Sequence, residues 1–218
     1  MDISTEKIAE MVKRALLEMN GEGKAQKNEG GIPIGISNRH IHLSSGDLET
    51  LFGKGYELTP IKELSQPGQY ACKEVLTIIG PSMRPIENVR VLGPVRKASQ
   101  VEISATDSYV LKVKPPVRES GKTEGSAPIR IVGPKGVVEL TEGCIIANRH
   151  IHMSPSEAQV FGLSDGDYVD IDVNGTRRTR WFDVQVRVHK DFRLEMHVDT
   201  DDANAAGIGN GFIVNVVK

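Results

Sequence analysis

The sequence predicts a mainly β protein of barrels or sandwiches, arranged as two similar units. Three observations carry this. Short apolar or alternating runs recur along the chain and are bounded by turn residues, of which there are 22 Gly and 11 Pro. Helical periodicity is confined to one N-terminal stretch and three short segments. An eleven-residue passage recurs: IGISNRHIHLS at 34–44 and CIIANRHIHMS at 144–154, with Asn-Arg-His-Ile-His identical. The chain's 218 residues allow one large domain or two small ones. A formal net charge of -2 gives no electrostatic case for a nucleic-acid or membrane-surface partner. No apolar run is long enough to span a bilayer. Two cysteines, Cys72 and Cys144, are too few for a disulfide scaffold and point to a reducing compartment.

In chain order, residues 1–19 read as a helix. Ser4 and Thr5 offer the N-cap, and Ile8, Met11, Val12, Ala15, Leu16 and Met19 form one apolar stripe. The polar, Gly-rich stretch 20–31 reads as a linker, so the helix is expected to be tethered; it either docks on its own domain or is a disordered extension, or it lays its apolar face on a partner. It lacks the continuous apolar core of a signal peptide. Strands are expected at 73–79, 88–92, 100–104, 109–113, 129–132, 137–140 and 143–147, then at 168–173, 184–188, 192–198 and 212–217. Helices are expected at 44–52, 154–161 and 201–206. The polar stretch 118–127 reads as a hinge between halves. This gives a division into 1–30, a first unit 31–117 and a second unit 118–218.

The repeat is where the chemistry gathers. His40 and His42 are two apart, as are His150 and His152, so on a strand each pair projects from one face while Ile41 and Ile151 pack behind. Two imidazoles on one face can share a metal such as zinc. A structural repeat is normally carried by apolar residues, yet the identical residues here are mostly polar. Each pair needs a further ligand. His197 lies on the polar face of the alternating run 192–198, and Glu102 lies between Val101 and Ile103; spacing alone does not say which serves which pair. Three ligands plus an open position is the catalytic arrangement of zinc. His189, beside a hairpin tip, reads as exposed. The cysteines lack a Cys-x-x-Cys partner and read as small core hydrophobes. Arg96, after Gly93-Pro94, has the planar fork that suits phosphate. Arg177, Arg178, Arg180 and Lys190 read as a charged hairpin. No dinucleotide fingerprint, P-loop or nucleophile elbow is present.

Taken together, the two Arg-His-Ile-His segments, the stretch from Gly93 through Arg96 to Ser104, and Leu194-Glu195-Met196-His197-Val198-Asp199-Thr200-Asp201 with Ala203-Asn204-Ala205 resemble the PduL-type phosphotransacylases, the phosphate propanoyltransferases. The resemblance covers roughly residues 31–218. It implies two β-barrel domains and two zinc ions in the cleft between them. It implies exchange between acyl-CoA plus phosphate and acyl-phosphate plus CoA, with a propionyl or acetyl group. His40, His42 and Glu102 would hold one ion, and His150, His152 and His197 the other. Arg96 would bind phosphate, and Ser37, Asn38, Arg90 and Asn204 would contact CoA. The helix at 1–19 looks like an encapsulation peptide that directs the enzyme to the lumen of a bacterial microcompartment, the cytoplasm being the alternative. A homo-oligomer is compatible with the sequence, which fixes no oligomeric state. Two other readings use the same ligands: a dinuclear metallohydrolase and a non-catalytic, metal-stabilised protein.

Overall fold

The structure is a computed structural model and describes residues 31–217. The expected N-terminal helix and most of its linker lie outside these residues. Fourteen strands and four short helices follow in the order β1 (Ile32–Ser37), β2 (His40–His42), α1 (Ser45–Phe52), β3 (Pro60–Glu63), β4 (Tyr70–Ile79), β5 (Pro85–Gly93), β6 (Gln100–Glu102), α2 (Ala105–Leu111), β7 (Val117–Arg118), β8 (Ala127–Val132), β9 (Val137–Ala147), β10 (His150–Met153), α3 (Pro155–Phe161), β11 (Tyr168–Val173), β12 (Thr179–Val188), β13 (Glu195–Asp199), α4 (Thr200–Ala206) and β14 (Ile213–Val216).

The strands close into two six-stranded barrels, as the sequence and its family resemblance lead one to expect. The first runs β4-β5-β2-β6-β9-β8 and closes by pairing β8 with β4. The second runs β1-β13-β10-β12-β11-β14 and closes by pairing β14 with β1. Each has its own apolar filling. Ile41, Leu43, Ile78, Val91 and Ile131 pack in the first, and Ile32, Ile34, Ile151, Met153 and Val186 in the second.

The repeat is visible in the pairing. The short strand β2 lies parallel to β5 and antiparallel to β6, and its counterpart β10 lies parallel to β12 and antiparallel to β13. The strand that leads into each histidine pair belongs to the opposite barrel. β1 runs parallel to β13 in the second barrel, then the chain crosses at Asn38-Arg39 into the first. β9 runs parallel to β6 in the first barrel, then crosses at Asn148-Arg149 into the second.

This crossing corrects the division at residue 117. β1, placed in the first unit by the sequence, closes the second barrel, and β8 and β9, placed in the second, complete the first. The stretch 118–127 connects two strands of the first barrel rather than two halves. The reason is burial: Ile32 and Ile34 find their apolar environment in the second core, and Cys144 finds its own in the first.

Local signals explain the helices. Ser44 and Ser154, equivalent in the repeat, cap α1 and α3 by accepting from the backbone N–H of Asp47 and Glu157. Residues 109–113, expected as a strand, instead contribute to the end of α2. Ser104 and Asp107 form a capping box there, which starts a helix two residues after β6 ends. Leu111, fully buried, then packs α2 onto the first core. Gly80, just beyond β4, allows this approach, because a Cβ there would lie 1.9 Å from the carbonyl oxygen of Leu111. Gly80→Ala is therefore expected to destabilise the protein by about 1–3 kcal/mol, read as a lower denaturation midpoint.

Candidate metal centre

The crossings put both histidine pairs on the seam between barrels. In β2 and β10 the pattern is as the sequence predicts: the histidines share a face, and Ile41 and Ile151 behind them are fully buried. Each crossing is fixed in the same way. Arg39 holds Asp107, at the start of α2, with nitrogen–oxygen distances of 2.8 and 2.7 Å. Arg149 holds Asp202, at the start of α4, at 2.9 and 2.8 Å. The first histidine of each pair is oriented by the crossing backbone. His40 Nδ1 lies 2.8 Å from the carbonyl of Asn38, and His150 Nδ1 lies 2.8 Å from that of Asn148. Donation from each Nδ1 leaves Nε2 as the lone-pair nitrogen. The Arg and the first His of the repeated Asn-Arg-His-Ile-His thus do the same work in both copies.

Register supplies the third member of each group. His40 lies opposite Glu102 on β6, and His150 lies opposite His197 on β13. His40 Nε2 is 3.5 Å from Glu102 Oε2, and His42 Nε2 is 4.0 Å from Oε1. One potential ligand atom from each of these three residues falls within 4.8 Å of the others. The second group is drawn together ring to ring. Its centroids lie 4.7 Å apart for His150–His152, 5.1 Å for His150–His197 and 4.8 Å for His152–His197. His197 Nε2 is 2.9 Å from Glu195 Oε2, at an angle that makes no hydrogen bond.

The electrostatics favour the neutral form at three of the imidazoles, His42, His150 and His152. Burial pushes His42 down to about 2, helped by His40 and Arg96. Burial likewise takes His152 to about 2 and His150 to about 4, with neighbouring histidines adding to both shifts. His40 is the exception: burial is the largest influence and lowers its pKa, but the charge and hydrogen bond of Glu102 together with the Asn38 carbonyl outweigh it and raise the pKa. Burial raises the pKa of Glu102, yet His40, His42 and the Ser120 hydroxyl outweigh it and hold the carboxyl well below the usual range. A neutral imidazole is the form that ligates a metal.

Three buried ring nitrogens in these groups have no hydrogen-bond partner: His42 Nδ1, His152 Nδ1 and His197 Nε2. Each such atom costs about 1–3 kcal/mol. Against a total stability of about 5–15 kcal/mol, three together are a heavy load for groups with no other use. A metal would satisfy them, so the residues fit one.

All six residues open on one cavity of about 220 Å³, which Arg96, Arg187 and Ser120 also line. Ser120 ties two parts together. Its hydroxyl donates to Glu102 Oε1 at 2.7 Å and accepts from Arg96 Nη1 at 3.1 Å. Gln100 Nε2 donates to the same carboxylate oxygen at 2.6 Å. Burial lowers the pKa of Arg96, with Glu102 opposing and Arg187 adding to the shift; guanidinium remains a cation. A second, outer groove of about 460 Å³ adjoins the first and is lined by Ser37, Asn38 and Arg90. Asn204 stands exposed on α4 and is absent from the walls of both cavities, whereas Asn210 lines the outer groove.

Four residues of this neighbourhood carry no assigned role in the sequence reading. Ser120 sits in a turn-rich stretch that gives no signal. Gln100, Arg187 and Glu195 had one, since each alternates with apolar residues on the face that carries Glu102, lies opposite His152, or carries His197. Glu195 is half-buried against β1: a Cβ on Gly35 would lie 2.7 Å from its carboxyl carbon, and the Ser65 hydroxyl donates to it. Other expectations hold. His189 is exposed beside Asp191, and Arg180 pairs with Asp172 at 2.7 Å as part of a charged hairpin. Cys72 and Cys144 are buried and free, and burial pushes their thiols up to about 11 and about 12. No helix among the described residues is long and apolar enough to cross a membrane.

The profile of the phosphate propanoyltransferase family matches residues 33–209. A phosphate propanoyltransferase of Thermotoga maritima is 58% identical over 193 residues, covering 88% of this chain and 91% of the relative. One of Lachnoclostridium phytofermentans is 54% identical over 208 residues, covering 95% and 97%. One of Listeria monocytogenes is 44% identical over 217 residues, covering 100% and 96%.

The geometry predicts that Glu102→Gln and His150→Ala each lower the zinc retained per chain after dialysis, measured by elemental analysis. Retention equal to that of the unaltered protein in both variants would count against a ligand role.

Proposed function

The chain belongs to the phosphate propanoyltransferase family, and from that premise we propose that it moves a propionyl or acetyl group between the thiol of CoA and inorganic phosphate at a pair of zinc ions. The observation that carries this is the single cavity in which two ligand groups and Arg96 meet. His40, His42 and Glu102 would hold one ion, and His150, His152 and His197 the other. Two bound zinc ions would supply Lewis acidity, offsetting negative charge on the thioester oxygen and on the departing sulfur.

The protein's own residues account for the rest. Arg96 offers a fixed cationic fork to phosphate, and its hydrogen bond to Ser120 holds it beside Glu102. Arg187, on the same wall, adds a second cation for an anion that must approach another anion. Ser37, Asn38 and Arg90 give the outer groove polar and cationic contacts for CoA, and Asn204, outside its walls, would contact CoA only as the family resemblance implies. Phosphate oxygen then attacks the thioester carbon. The carbon–oxygen bond forms, the carbon–sulfur bond breaks, and sulfur leaves as thiolate. The reverse reaction retraces these steps. No acyl-enzyme is required: both thiols are buried and held protonated by burial.

The test is CoA release from propionyl-CoA with and without phosphate, before and after chelation. Release is expected only with phosphate and is expected to fall after chelation by on the order of 10²-fold or more. Phosphate-independent release would instead favour a metallohydrolase. An unreactive protein that loses only stability on chelation would favour a structural metal.

For residues 1–20 we propose a docking role on a bacterial microcompartment shell or cargo, which would place the enzyme in the compartment lumen. Support comes from the apolar stripe and the Gly-rich stretch that follows it. Deleting 1–20 is expected to leave activity in solution intact and to abolish co-purification with shells. Unchanged encapsulation of the truncated chain would refute the role.

A further inference from the structure

The family premise leaves open what selects the acyl chain, and the two adjoining cavities bear on this. They share a neck formed by Ser37, His40, Leu64, Ser65, Leu92 and His197. The apolar side chains lining the inner cavity are Leu64, Leu92 and Phe192. Leu64 and Leu92 belong to the neck, where the thioester's CoA arm must pass. Phe192 lines the inner cavity and not the outer groove. A smaller cavity of about 30 Å³ also borders His40, Glu102, His150 and His197 and has Ile103, Ala147 and Val198 in its walls, but it has room for little more than a water molecule. Within the inner cavity Phe192 is therefore the apolar surface beyond the neck, on the side of the two ligand groups.

Its placement is firm. Phe192 lies between β12 and β13, with its ring centroid 4.2 Å from that of His152. The guanidinium carbon of Arg187 lies 5.9 Å from the ring centre. The next residue is clasped by the other barrel. The buried Gln66 donates to the carbonyl of Arg193 at 3.0 Å and accepts from its N–H at 3.2 Å, as a neighbouring strand would. The loop that carries Leu64 thus also fixes the backbone beside Phe192.

We propose that Phe192 is the end wall of the acyl pocket and sets the longest acyl chain the enzyme accepts. The acyl carbonyl has to lie at the ligand groups, because that is where the cavity holds charge to stabilise it. Its alkyl tail then leaves water only if it meets an apolar face. Beyond the neck that face is the Phe192 ring. A rigid ring held by His152 and by the clasped backbone limits chain length by exclusion, which discriminates more sharply than loss of attraction. The proposal rests on the acyltransferase reading above.

Phe192→Ala and the milder Phe192→Leu test it, with acetyl-, propionyl-, butyryl- and hexanoyl-CoA as substrates. Phe192→Ala is expected to raise the butyryl-to-propionyl ratio of kcat/KM by about tenfold or more, with Phe192→Leu in between. Phe192→Trp is expected to move preference toward acetyl-CoA. Zinc retained per chain and the KM for phosphate are the readouts that general damage to the site would move and a wall effect would not. Equal loss on all four substrates in both the Ala and Leu variants overturns the proposal. A calorimetric arm keeps it separable from the reaction itself: the affinity of butyryl-CoA relative to free CoA is expected to rise in Phe192→Ala. If the unaltered enzyme releases no CoA to phosphate, the acyltransferase reading fails while this binding ratio still decides the wall.

Discussion

The strands that lead into the histidine pairs are not part of the barrels that hold the pairs. β1 is hydrogen-bonded into the second barrel and β9 into the first, and each crosses in two residues. So short a crossing leaves the chain no freedom to place the histidines anywhere but on the seam. Arg39–Asp107 and Arg149–Asp202 tie the crossings to the helices that follow β6 and β13. The carbonyls of Asn38 and Asn148 then set the first ring of each pair. Architecture and site are one constraint seen at two scales.

That constraint has an electrostatic cost. Bringing the pairs to the seam buries His40, His42, His152 and Glu102 and half-buries His150, His197 and Arg96. Burial disfavours the charged imidazole, which the depressed pKa values of His42, His150 and His152 reflect. The same shift prepares the rings to ligate. Glu102 stays ionised because His40, His42 and Ser120 compensate for its burial. Ser120 carries this compensation outward to Arg96, so the arginine and the candidate ligand Glu102 are held by one hydroxyl.

The two halves of the site are related by the repeat but are not copies. On β6 the residue opposite His40 is Glu102 and the residue opposite His42 is Gln100. On β13 the residue opposite His150 is His197 and the residue opposite His152 is Glu195. Each half thus has one carboxylate, displaced by two residues between the strands. In the first it faces the histidine pair. In the second it lies beside His197, over the space that Gly35 leaves, and burial raises its pKa less than His197 and Ser65 lower it. The first group converges as a potential ligand set, while the second is stacked more loosely around His197.

The sequence by itself determined the ingredients. Alternation placed each histidine pair on one strand face with an isoleucine behind it. Turn residues marked most strands, serine caps marked α1 and α3, and the repeat showed that the protein has two related units. These are local signals, set within a few residues by backbone geometry and burial. Others were local but ambiguous: residues 109–113 alternate as a strand would, and only the capping box with the burial of Leu111 made their beginning a helix. Which elements share a barrel, which residue completes each histidine pair, and what else reaches the cavity emerge only when the chain is folded. β1 and β9 changed sides because their apolar residues are buried in the opposite cores. Ser120, in a stretch that reads as a hinge, became a contact of Glu102. These outcomes depend on strand register across long separations and on where two closed barrels meet, and no spacing within a single segment encodes either.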